Sequence, residues 1–162
     1  MTAAYTHIVI VHLPVIGLVF TVAVTLLGLF FNDRRLILIG CAFTVCCAIG
    51  AAVAYGSGPP AFDQLRGGLD KTTIALAEQH AVIGRAAFIG AILAGIVALQ
   101  GLLRTAADDG PSPWLVRGLA ALLIVVAGLM AWTAHLGGGI RHPEARSGTE
   151  SSALTVHSPA FS

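Results

Sequence analysis

The chain has 162 residues, of which 56% are hydrophobic and only 10% are charged, and its formal net charge at pH 7 is +1. Soluble globular domains carry about 25% charged residues, so this composition excludes an ordinary soluble domain and predicts a membrane protein. A net charge close to zero also argues against nucleic acid as a partner.

Four long apolar segments follow one another along the chain, over residues 6–31, 36–55, 74–104 and 114–137. Each is close to or above the ~20 residues that a helix needs to cross the hydrocarbon core of a bilayer. The connections after the first and third segments are short, which makes neighbouring helices antiparallel. We therefore predict an all-α fold, an integral membrane up-and-down four-helix bundle over residues 1–142, with a C-terminal tail over 143–162.

The basic residues predict how this bundle is oriented. Arginines flank the first and third connections, whereas the residues before the first segment include no Lys or Arg; the four arginines are Arg34, Arg35, Arg104 and Arg117. By the positive-inside rule both connections face the cytoplasm and both termini lie outside. In a Gram-negative bacterium this places the chain in the inner membrane, with the tail in the periplasm.

The second connection, residues 56–73, is long for a helical bundle and contains Gly58-Pro59-Pro60 and Gly67-Gly68. Its composition predicts a loop, and two interpretations stay open. Long loops are often functional, so it either caps a site on the outer face or forms a solvated linker. The three cysteines, Cys41, Cys46 and Cys47, lie in one apolar run without a CxxC motif and are expected to be small core residues.

Five of the six histidines fall at the predicted outer edge of the apolar segments: His7, His12, His80, His135 and His142. Histidine is rare in lipid-spanning segments, and a cluster at one depth predicts a functional site. Imidazole is a usual protein ligand of haem iron and of several other transition metals. The sixth histidine, His157, belongs to the tail.

The first and third helices of an up-and-down bundle are diagonal neighbours. His12 and His80 enter from the same face, so we expect them to meet across the core and to ligate haem b. His7, His135 and His142 are further candidate ligands, and five histidines suffice for one haem or two.

Arg85 lies about 7.5 Å along the helix from His80, inside the third apolar segment. An arginine at this depth needs a partner, and a haem propionate or a quinone oxygen would serve. Alternatively, the side chain reaches outward to the interface or pairs with Glu78.

The first histidines belong to the most specific stretch of the chain, which runs from His7 through His12 to Pro14. It resembles the opening of a bacterial family of four-helix membrane proteins, the domain of unknown function 2231 family, whose members typically begin H-P-x-x-V-H-F-P-I. Ile8 replaces the first proline of that pattern, and Leu13 replaces the phenylalanine. The resemblance covers nearly the whole chain and implies the same four-helix architecture.

Two later histidines also match this family's pattern. His80 corresponds to a histidine early in the family's third helix, and His142, after Gly138-Gly139, resembles a shortened form of its glycine–histidine ending. The resemblance implies that His7, His12, His80 and His142 act as a set. His135 is not part of that pattern.

These observations favour a b-type cytochrome subunit that passes electrons between a periplasmic redox subunit and the quinone pool. Such a chain would be an electron-transfer subunit of a membrane complex rather than an enzyme alone. Two alternatives remain: a cofactor-free scaffold or anchor subunit, and a histidine metal-binding membrane protein. Copper(I) prefers sulfur ligands, and Met130 is the only methionine near the histidines.

Overall fold

The structure is a computed structural model that describes residues 2–107 and 109–142. This part of the chain forms four helices, α1 (Ala3–Phe30), α2 (Arg34–Leu65), α3 (Lys71–Ala106) and α4 (Pro113–Arg141), with a short 3-10 helix, Arg66–Gly68, after α2. No described residue lies in a strand, and the predicted all-α four-helix fold is confirmed. The predicted tail, residues 143–162 with His157, lies outside the described residues.

The four helices pack in a closed ring, in which α1 contacts α2, α2 contacts α3, α3 contacts α4, and α4 contacts α1. The diagonal pairs are therefore α1 with α3 and α2 with α4. By length and composition each helix is able to span a membrane, which indicates a multi-pass membrane protein. Large apolar side chains such as Phe20 and Val19 point outward, as lipid-facing side chains do.

Small residues fill much of the space between the helices. A Cβ added at Gly95 of α3 would lie 2.6 Å from the Ala48 Cβ of α2, and one added at Gly17 of α1 would lie 2.7 Å from the Cys47 sulfur. Cys41 and Cys47 are buried, whereas Cys46 is exposed. Helices in lipid gain little from the hydrophobic effect, so close backbone approach of this kind is a main source of their packing energy.

The second connection differs from its prediction, because most of it is helical. Helix α2 continues through Pro59 and Pro60 as far as Leu65, and α3 already begins at Lys71, where the Asp70 side chain accepts a hydrogen bond from the Thr73 N–H at 2.6 Å. The loop prediction was therefore wrong.

The reason is that the cost of proline in a helix depends on its neighbours. Pro59 and Pro60 donate no N–H, which leaves two carbonyls of the preceding turn without helical partners. Long packed helices tolerate this loss, since neighbouring helices and hydroxyl side chains compensate. Here Ala61 is buried one residue after the prolines. The extension of α2 thus stays against the bundle.

Candidate functional site at the histidine end

Three histidines lie at similar distances, measured along their helices, from residues at the opposite end of the bundle. At 1.5 Å per residue, His7 lies about 35 Å along α1 from Phe30, His80 about 36 Å along α3 from Arg104, and His135 about 32 Å along α4 from Trp114. Those reference residues stand at the opposite end of the bundle. These lengths are close to the thickness of about 30 Å of the hydrocarbon core of a bilayer, so the three histidines lie near one end of helices that are long enough to span it.

The His80 ring of α3 is half-buried and faces α4. Its Nδ1 lies 2.9 Å from the Thr133 carbonyl oxygen. A carbonyl only accepts, so Nδ1 carries the proton and donates it, and in the neutral ring Nε2 keeps a free lone pair. Gly137 makes room for this ring, because a Cβ at that position would lie 3.3 Å from the His80 Cε1.

The His7 ring of α1 is also half-buried and faces α2. Its Nδ1 lies 2.8 Å from the Ser57 Oγ. The single hydroxyl proton of Ser57 is donated to the Ala54 carbonyl, so the serine oxygen accepts and His7 Nδ1–H donates. The Nε2 lone pair of the neutral ring is again free. The partner of His7 therefore comes from the part of α2 that the sequence predicted as a loop.

Among the described histidines, His7 and His80 are the two that are half-buried. They belong to diagonal helices, and one ring is hydrogen-bonded to α2 and the other to α4. Each ring has its Nδ1–H hydrogen-bonded to protein and its Nε2 free. Histidines that ligate metals almost always have this arrangement, because the outer hydrogen bond fixes the tautomer and the ring orientation.

His12 has a different position from the one expected. Its ring is exposed, and Nδ1 lies 2.6 Å from the Ile8 carbonyl of the same helix. The sequence pattern predicted this ring in the bundle core beside His80. Five residues separate His7 from His12, which is about 140° around a helix, so both cannot face the same neighbour.

The register of α1 explains which histidine turns inward. The buried residues of α1 include Pro14, Thr21 and Gly28, which continue a seven-residue spacing that starts at His7. A seven-residue repeat keeps one seam of a helix against its neighbour. This signal was present in the sequence and would have selected His7 over His12. Nothing in the sequence alone marked Ser57 or the Thr133 carbonyl as partners.

The remaining candidates lie on the outside of the bundle. His135 is exposed, with its ring centroid 5.8 Å from that of Trp132. His142 is exposed at the end of α4, where its N–H donates to the Gly138 carbonyl at 2.9 Å. Arg85 is exposed on α3, and within the described residues no ion pair joins it to Glu78. Its guanidinium is therefore open to the surroundings of the bundle.

The half-buried imidazoles at this end are those of His7 and His80. Among the described residues, no group of three or more His, Cys, Asp or Glu side chains is placed to hold a metal ion. Comparison of the chain with protein-family models, curated proteins and solved structures finds no match in any of the three. The resemblance to the domain of unknown function 2231 family therefore stays a prediction.

Proposed function

We propose that this protein is a membrane-embedded b-type cytochrome subunit in which His7 and His80 hold haem b. The observation that carries the proposal is that these two rings, from diagonal helices, are both half-buried and each have Nδ1–H donated to protein and Nε2 free. Haem b bound here would supply reversible one-electron transfer. The sequence pattern predicted His80 together with His12, whereas the contacts of α1 favour His7 as the second ligand.

The number of ligands favours haem over a bare metal ion. A porphyrin already provides four nitrogen ligands to iron, so the protein has to add only the axial ones. A protein-bound zinc or copper ion, by contrast, usually takes three or four ligands from the protein. A pair of imidazoles with no third ligand nearby in the described residues suits the first case.

The hydrogen bonds to Nδ1 would position the ligands. The Thr133 carbonyl and the Ser57 hydroxyl fix the orientation of the two rings, and donation from Nδ1–H increases the basicity of Nε2. Gly58 and Gly137 stand beside the rings without side chains: a Cβ at Gly58 would lie 3.6 Å from the His7 Cε1. Small residues at these points leave room for the two imidazole rings themselves.

The level of the site indicates its electron-transfer partners. With both termini outside, in the orientation that the arginines predict, the site lies at the periplasmic boundary of a bacterial inner membrane. A periplasmic redox subunit would then deliver or receive electrons, and the quinone pool would exchange with the site from the membrane. The exposed Arg85, about 28 Å along α3 from Arg104, is the residue we assign to a quinone oxygen or a haem propionate.

An absorbance spectrum of the purified full chain, before and after dithionite, tests this function. We expect a Soret band and the reduced-minus-oxidised bands of a low-spin b-type haem. His7→Ala and His80→Ala should each lose these bands, whereas the matched variant His135→Ala should keep them, because its ring is exposed beside Trp132. Size-exclusion chromatography of each variant separates loss of haem from loss of fold.

Two results would overturn the proposal. A well-folded wild-type protein, produced with haem supplied in excess, that shows no Soret band has no haem function. If instead His12→Ala abolishes the bands and His7→Ala keeps them, the haem function stands but the ligand pair is His12 with His80.

A further inference from the structure

A cleft of about 400 Å³ opens at the other end of the bundle. It lies where α1 ends and where α2 and α4 begin. Its polar lining includes Asn32, Arg34 and Arg117, and its apolar lining includes Leu29, Ile37 and Val116. The cleft is therefore amphipathic, with cationic groups and apolar side chains in one cavity.

Among the residues that the structure describes, the charged side chains lining the cleft are all cationic: they are Arg34 and Arg117, and no described carboxylate joins them. The nearby Asp33 side chain is engaged elsewhere, because it accepts hydrogen bonds from the N–H groups of Arg35 and Leu36. Two guanidinium groups without a carboxylate partner among the described residues attract an anion, and their planar donor geometry matches phosphate oxygens.

The two guanidinium groups are held in different ways. Arg117 lies over the Trp114 ring, with its Cζ 5.3 Å from the centroid. The Arg34 Cζ lies 3.8 Å from the point that a Cβ on Gly110 would occupy. The start of α4 adds to the positive potential, because the Ser112 side chain makes no capping hydrogen bond there and the first N–H groups of a helix carry partial positive charge.

In a membrane the cleft would lie at the level of lipid headgroups. Trp114 is 78% exposed at this end of the bundle, and exposed tryptophan near the end of a spanning helix is typical of the membrane interface. Ile37 and Val116 are the buried apolar residues of the cleft lining, whereas Arg34 and Arg117 are exposed. A ligand in the cleft would thus meet charge at the interface and apolar surface beside it.

We propose that this cleft binds the headgroup of an anionic phospholipid, with the phosphate between Arg34 and Arg117. Basic pockets between membrane helices are recognised sites for anionic lipid headgroups. The two guanidiniums provide the charge that distinguishes an anionic from a zwitterionic lipid, and the apolar lining accepts the first part of an acyl chain. This site is independent of the haem proposed at the opposite end.

Thermal unfolding of the full chain in a neutral detergent tests this proposal. Added phosphatidylglycerol should raise the unfolding midpoint, whereas phosphatidylcholine and the soluble headgroup analogue glycerol 3-phosphate should not. In the double variant Arg34→Gln/Arg117→Gln the affinity for phosphatidylglycerol should fall about 10- to 100-fold. The control Arg35→Gln/Arg104→Gln removes two arginines from the same end but outside the cleft lining, and it should keep the full response.

Each other outcome contradicts a definite part of the proposal. Equal losses in the two double variants would mean non-specific attraction to a charged surface. An equal response to phosphatidylcholine would exclude recognition of anionic lipids. Saturable stabilisation by glycerol 3-phosphate alone, at an affinity equal to that for the lipid, would identify a soluble phosphate compound as the ligand in place of a membrane lipid.

Discussion

At one end of the bundle imidazole rings turn inward, and at the other end guanidinium groups line an open cleft. His7 and His80 are half-buried, and each donates Nδ1–H to a protein oxygen. Arg34 and Arg117 are exposed. A neutral ring with one hydrogen bond made can be buried at small cost, whereas a guanidinium carries a charge that is expensive to bury without a partner.

This difference also determines which ligands the two ends can take. Neutral rings whose Nδ1–H is already hydrogen-bonded offer the lone pair of Nε2 to a metal centre. Outward-facing cations offer hydrogen-bond donors to an anion that arrives from the interface. Substitutions that alter one end should therefore leave the ligand of the other end bound, and the following predictions test that separation.

The largest effect is expected at Gly137. The Cβ of a valine at this position would lie only 3.3 Å from the His80 Cε1. The imidazole would therefore have to move away from the Thr133 carbonyl. We expect Gly137→Val to lose the haem absorbance almost completely, because the ring that supplies Nε2 no longer has a fixed orientation. The absorbance ratio of haem to protein in the purified variant measures this loss.

The adjacent glycine provides a matched control. A Cβ at Gly138 meets no atom within 4 Å, so Gly138→Val changes helix propensity equally without touching His80. It should keep its haem, and both variants should retain the response to phosphatidylglycerol. If the two variants lose haem to the same degree, the loss comes from a weakened end of α4 and not from the position of the His80 ring.

A smaller effect is expected at Gly110, next to the arginine cleft. Its φ of +66° lies in the left-handed region, which costs residues with a side chain about 1–2 kcal/mol. Gly110→Ala should therefore lower the free energy of unfolding by about that amount. Titration with sodium dodecyl sulfate, followed by circular dichroism, provides the measurement.

Gly118 supplies the comparison for this substitution. It lies within α4, and an added Cβ there meets no atom within 4 Å. Gly118→Ala should raise the free energy of unfolding by up to about 1 kcal/mol, since glycine destabilises a helix relative to alanine. The haem spectrum should be unchanged in both variants. Opposite signs for the two alanines are the expected result, and a gain in stability at Gly110 would contradict the strain argument.

The two ends also differ in how far the sequence alone could describe them. The arginine end could be predicted from residue positions alone. Apolar runs locate the helices, and Arg34 and Arg117 flank the short connections. The histidine end depends on helix register, and a choice between His7 and His12 requires knowing which side of α1 faces α2. The seven-residue spacing from His7 to Pro14 contained that information.

One feature of the histidine end, the helical extension of α2, was not predicted because the local composition favoured a loop. Gly58-Pro59-Pro60 is typical of a loop, and this composition outweighed the possibility that α2 continues. Packing against the bundle overrides the local preference, as the buried Ala61 shows. Because Ser57 lies in that extension, its contact with His7 was not predictable from the sequence.

The smallest effect is expected at Ser57, which lies at the histidine end. Ser57→Ala removes the hydroxyl that accepts from His7 Nδ1–H, and loss of such an outer partner typically weakens metal binding about 10- to 100-fold. The Ala54 carbonyl oxygen lies 2.9 Å from the Ser57 Oγ, so a small shift of the His7 ring would let this carbonyl take over the proton. We therefore expect a loss of haem affinity of no more than about tenfold. Ser57→Thr retains the hydroxyl and should bind haem with nearly the wild-type affinity in a haem titration of the apoprotein.

If the alanine variant loses haem as completely as His7→Ala does, the hydroxyl is the essential support of that ring. If alanine and threonine are alike, the Ala54 carbonyl alone orients it.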